Sequence, residues 1–164
     1  LKKLAFVLVL SFFLFGCKAK TDELETFIND FNESVENTEA NEIDTDEVAK
    51  HENNQWQSLY NEKGAYFIEV KSNSNGELTN FKIVIDKNQI YYHLLGSGID
   101  ASKSVISSLD LDKDKFLIKS AEAIDNLNAE IIKYSENGFE IGVQDITYGE
   151  KYRDGLIIMI DKVN

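Results

Sequence analysis

The spacing of apolar residues changes period three times along the chain, and that succession restricts the fold more than any other feature. Between Asp22 and Glu36, the residues Leu24, Phe27, Ile28, Phe31 and Val35 recur at intervals of three and four, which predicts a helix with one apolar face. Asp22 with Glu25 forms a capping box, and acids crowd the first turn, where the helix dipole favours them. From Ala65 to Lys71 the period falls to two, with Tyr66, Ile68 and Val70 on one side and Phe67, Glu69 and Lys71 on the other. Leu78 to Asp86 repeats this, setting Phe81, Ile83 and Ile85 against Lys82, Val84 and Asp86. A helical period then returns, and strands follow it to the end. Helix, strands, helices, strands is the order of an α+β domain: an antiparallel sheet of about six or seven strands, with the N-terminal helix and a central helical pair on one face.

The remaining elements are placed by local signals. Trp56 to Tyr60 reads as a short strand, with Trp56 in the core, and Asn75-Gly76 as a loop tip. Lys87-Asn88 is short enough to join a fourth strand, Gln89 to Leu95, in a hairpin. On that strand the adjacent Tyr91 and Tyr92 point to opposite faces, so both cannot serve one aromatic platform. Gly96-Ser97-Gly98 breaks the pattern, and Asp100 caps a helix with Val105, Ile106 and Leu109 inward. A second helix, Asp114 to Leu127, buries Leu117, Ile118, Ala121 and Ile124. Strands return at Glu130 to Tyr134, Phe139 to Thr147 and Leu156 to Lys162, with Asn137-Gly138 turning the first pair. On element order alone the nearest resemblance is to cystatin-like or NTF2-like sheets. The two halves show no alignable repeat.

Residues 37–54 interrupt the apolar pattern with Glu39, Glu42, Asp44, Asp46, Glu47 and Glu52, which predicts a solvated acidic loop with one helical turn after Thr45. The whole chain carries a formal charge of −12. That balance excludes nucleic acid, whose phosphates need a basic surface.

The start of the chain is of a different kind. Lys2-Lys3, the apolar run Leu4 to Phe15, and Gly16-Cys17 make the three parts of a secretory signal, too short to remain as a membrane span. Leu14-Phe15-Gly16-Cys17 resembles the lipobox of bacterial lipoproteins. The resemblance implies cleavage after Gly16 and a diacylglyceryl group on the Cys17 sulfur, with attachment to the outer face of the cell membrane. It divides the chain into a signal peptide at 1–16, a lipidated tether at 17–21 and one α+β domain at 22–164. Two acyl chains give durable anchoring where one would be marginal. Cys17 is the one cysteine, so the domain holds together without a disulfide. One arginine against sixteen lysines, and no proline, fit a Gram-positive origin of low GC content.

Several stretches invite a chemical reading. Asp110, Asp112 and Asp114 alternate as in the first half of a calcium-binding EF-hand loop, but the glycine and the bidentate glutamate that such a loop needs are replaced by Lys115 and Ala121, so no metal is assigned. Gly96-Ser97-Gly98-Ile99-Asp100-Ala101 fits G-x-G-x-x-A, but a helix follows where a dinucleotide fold places a parallel strand, and no cofactor is assigned. His51 and His93 are the two histidines, and no serine lies in a nucleophile elbow. The loop from Tyr148 to Gly155 gathers Tyr148, Tyr152 and the sole arginine, Arg153, side chains enriched at binding hot spots, and is the expected partner contact.

The expectation is a non-enzymatic, lipid-anchored binding module at the cell envelope, held to the membrane through Cys17 and engaging an envelope protein. Two alternatives are kept: a short apolar mating pheromone released from Leu8 to Gly16, and an envelope hydrolase working through paired carboxylates.

Overall fold

The computed structural model describes residues 23–50, 56–86, 91–126, 128, 130–146 and 155–163. Seven antiparallel strands form one sheet, ordered β1-β2-β3-β4-β7-β6-β5. They are β1 (Ala49–Lys50), β2 (Trp56–Asn61), β3 (Tyr66–Ser72), β4 (Leu78–Asp86), β5 (Ile132–Glu136), β6 (Phe139–Ile146) and β7 (Gly155–Lys162). Three helices, α1 (Glu23–Val35), α2 (Ser97–Ser108) and α3 (Lys113–Asp125), pack on one face. The fold is therefore α+β with the N-terminal helix and the helical pair on one side of an antiparallel sheet.

The core lies between that face and the helices. Phe27, Ile28, Phe31 and Val35 of α1 are buried, and the Phe27 ring packs 5.1 Å from that of Phe81. Tyr66, Ile68 and Val70 of β3, Phe81, Ile83 and Ile85 of β4, and Leu156, Ile158 and Ile160 of β7 complete the layer. The strand alternation read from the sequence decides which face is dry.

The two halves of the chain repeat each other, although their sequences show no repeat. Tyr66 faces Ile85 across β3 and β4, and Ile141 faces Ile160 across β6 and β7, so both members move by the same 75 positions (141 − 66 and 160 − 85). Between β4 and β7, Ile83 faces Ile158, again 75 positions apart. Helix α1 precedes β3 by nearly the interval at which α2 precedes β6. A pseudo-twofold axis thus passes through the Ile83–Ile158 pair at the central seam. Only backbone pairing and burial are repeated, which is why residue identities hide it.

Several expectations are corrected. No strand runs over 91–95: Tyr91–His93 is a single 3-10 turn, and Leu94 takes a positive φ of 55° that ends extended structure there. Tyr91 is buried and Tyr92 exposed because they sit on a turn, not on opposite faces of a strand. The second helix of the pair is turned by about one residue, burying Phe116, Ser120 and Ala123 and leaving Ile118 60% exposed, because the four-then-three spacing from Phe116 gives the larger ring the core. Helix α2 begins at Ser97 after Gly96, with Asp100 in its first turn bound to Lys103 instead of capping it. Trp56 is half-buried and lies opposite Lys71 on the face away from the helices, not in the core.

Candidate binding cleft

The acidic loop is the least regular part of the first half, and it builds the cleft. Asn32 of α1 holds it: the Asn32 side-chain amide donates to the Ile43 carbonyl (2.9 Å), and its oxygen accepts from the Ile43 N–H (2.7 Å). Ile43 is thereby drawn into the core. One helical turn follows at Thr45–Glu47, where the turn was expected, capped by the Asp44 carboxylate accepting from the Asp46 N–H. Ala49 and Lys50 then pair with Ser58 and Gln57 as the two-residue edge strand β1, which the acid-rich composition concealed.

Between this cover and the start of α1 lies a cleft of about 560 Å³, within the size range of small-ligand sites. Leu24, Ile28 and Val48 supply its apolar side, and Thr45, Gln57 and Ser72 its polar side. Glu25 and Lys50 are its charged lining residues, and the 73–76 turn closes one end through Gly76. The Gln57 amide reaches the Ser72 hydroxyl through its nitrogen at 3.5 Å, while its oxygen is buried and accepts no hydrogen bond among the described residues.

The residues singled out from the sequence fall elsewhere. Tyr148, Tyr152 and Arg153 lie outside the described residues, as do Cys17, Gly16, His51 and the Asp22 cap. Asp112 is the N-cap of α3, its carboxylate accepting from the Asp114 and Lys115 N–H groups, while Asp110 lies within the α2–α3 connection with a φ of 55°. The three aspartates thus shape a helix junction, and among the described residues no group of three or more His, Cys, Asp or Glu could hold a metal ion. Gly98 faces the Ile85 side chain so closely that a Cβ would lie 2.7 Å from it, so helix-on-sheet contact explains this glycine without a phosphate. His93 is exposed and stacks near Tyr92. Among the described residues no helix is long and apolar enough to cross a membrane.

One residue that sequence reasoning passed over is Asp145, a carboxylate on the inward side of β6 that is 7% exposed. The Tyr91 hydroxyl donates to it at 3.0 Å, tying the 3-10 turn to the end of the sheet. The signal was present: Asp145 continues the inward alternation of Ile141 and Val143. Burial also pushes three tyrosines upward from their ordinary value. Tyr66 is raised by burial, although its oxygen accepts from the Asn41 N–H; Tyr134 is raised by burial and by the Glu136 and Asp112 carboxylates; Tyr60 is raised by burial at the sheet margin.

Comparison with protein-family models, with curated proteins and with solved structures finds no match. The geometry of the cleft is therefore what a functional reading has to work from.

Proposed function

We propose that this protein is a non-enzymatic binding module, lipid-anchored through Cys17 on the outer face of the cell membrane, and that it takes an envelope protein in the cleft between α1 and β1. The cleft carries the reading: it joins apolar side chains, Leu24, Ile28 and Val48, to a few polar ones, Thr45, Gln57 and Ser72, the composition of a recognition site. Its position suits the anchor. Leu24 and Glu25, two of its lining residues, stand within eight positions of Cys17, and eight residues extend at most about 29 Å. A partner bound there would be held close to the bilayer. Among the described residues that line the cleft, Glu25 is the one carboxylate.

The test has two arms. Intact mass and membrane fractionation of the wild type beside Cys17→Ala should show a diacylglyceryl increment and membrane retention in the wild type alone. A photo-crosslinking residue at position 50 should then capture a defined envelope protein in whole cells, and Leu24→Glu should abolish the capture. An unmodified Cys17, or capture unaffected by Leu24→Glu, would overturn the anchor and the cleft respectively.

A further inference from the structure

We infer that the occupant of this cleft is a basic amphipathic helix of the partner, which inserts a short apolar ridge and places lysine or arginine on both sides of it. The inference rests on the binding-module reading above and specifies the chemistry of its partner.

The second half of the molecule shows what belongs over such a sheet. There α3, thirteen residues long, lies along β5 and β6 and buries Phe116, Ser120 and Ala123 against them. In the first half the matching face of β2 and β3 is covered by the stretch 40–50, which contains a 3-10 turn of three residues and a strand of two. A helix with its side chains is about 10 Å across, and an extended strand is thinner. The cleft is the space left by that difference, lined by Leu24, Ile28 and Val48 where a ridge of a helix would sit.

Charge then selects the kind of helix. Glu25 lines the cleft, and the turn that forms its wall carries Asp44, Asp46 and Glu47, all exposed, with Glu42 just before them. Among the described lining residues Glu25 is balanced by Lys50. The four exposed carboxylates of the bordering stretch, Glu42, Asp44, Asp46 and Glu47, on a chain of formal charge −12, then disfavour an acidic ligand and attract a basic one.

The experiment is a selection with the full-length lipidated protein in phosphatidylcholine nanodiscs. A displayed library of 14-residue amphipathic helices has leucine at i, i+4 and i+7, and each flanking position is randomised between lysine and glutamate. Wild-type protein should enrich lysine over glutamate at the flanks by about tenfold, equivalent to 1.4 kcal/mol. Leu24→Glu should lose the selected binders. Should that variant fail to fold, Glu25→Lys with Glu47→Lys, both at exposed positions, should abolish or reverse the lysine preference. Equal recovery of both charges, enrichment of glutamate, or displacement of the binders by a short-chain lysophospholipid would overturn the basic helix as occupant. If the crosslink at position 50 still captures an envelope protein in that event, the binding module stands and only its partner's chemistry was misassigned. If both fail, the cleft is not the site.

Discussion

The two halves of this protein solve one packing problem with unequal means. Each lays a helix and a three-stranded meander on its side of the β4–β7 seam, and the pairing of the inner strands repeats at an interval of 75 residues along the chain. The second half finishes its sheet with α3; the first uses the irregular stretch 40–50, pinned by Asn32 and closed by a two-residue strand. The lesson is that the less regular half leaves a cleft of about 560 Å³ beside its cover, so a binding site is to be sought where the repeat is incomplete.

The comparison is broken most severely at the seam that both halves share. A Cβ at Gly155 would collide with the carbonyl oxygen of Ile85 on the neighbouring strand. Gly155→Ala should therefore cost more than about 3 kcal/mol, since neither strand can retreat from its other partner. Thermal unfolding followed by circular dichroism would show it, and a midpoint within a few degrees of wild type would mean that the seam is looser than described.

Next in size is the difference between the covers. Phe116→Ala empties the fully buried core contact of α3 and should cost about 3–5 kcal/mol. Asn32→Ala removes both hydrogen bonds to Ile43 and should cost about 1–3 kcal/mol. The two should also differ in kind. Hydrogen exchange in the Asn32 variant should quicken over 40–50 while β5 and β6 keep their protection; uniform quickening would deny that this cover opens as a unit.

A smaller contrast lies in two inward tyrosines. The Tyr66 oxygen accepts from the Asn41 N–H, whereas the Tyr134 oxygen is buried with no hydrogen-bond partner among the described residues. Tyr66→Phe should cost about 1 kcal/mol, and Tyr134→Phe should be neutral or stabilising by a similar amount, measured by urea titration. A loss at Tyr134 equal to that at Tyr66 would erase the distinction.

The same tyrosines set the response to alkali. Folding raises Tyr60, Tyr66 and Tyr134, so the native state holds their protons more tightly than the unfolded chain does. Their contribution is complete below the unfolded value near 10 and is lost as pH rises above it through the folded values. Stability should fall from about pH 10 upward, and less steeply in Tyr134→Phe. An unchanged slope in that variant would contradict the burial assigned to Tyr134.

Much of this architecture was legible in the sequence, and the exceptions have physical causes. Period-two stretches such as Tyr66-Ile68-Val70 and Phe81-Ile83-Ile85 declare both the strand and its buried face, because alternation admits one assignment. The helix at 23–35 was equally plain from its five apolar residues. Residues 91–95 misled because tyrosine favours strands, whereas a long-range bond from Tyr91 to Asp145 holds that stretch as a turn. The cleft was invisible for a related reason. It comes from the meeting of Leu24, Val48 and Gln57, residues that are unremarkable alone and are joined by two hydrogen bonds from Asn32 across eleven positions.

The seam has one further consequence, which concerns how the molecule assembles. Within each half, neighbouring strands are close in sequence and can pair early, but β4 and β7 are separated by nearly seventy residues and must wait for both meanders. Until they meet, each half presents an unpaired apolar edge, Phe81-Ile83-Ile85 in one and Leu156-Ile158-Ile160 in the other. Because the seam sits on a pseudo-twofold axis, the β7 of a second molecule offers β4 the same register and the same buried rows as its own. Refolding at high concentration should therefore produce intertwined dimers that exchange their halves, and tethering each chain to a surface, well spaced from its neighbours, would favour closure within a single molecule.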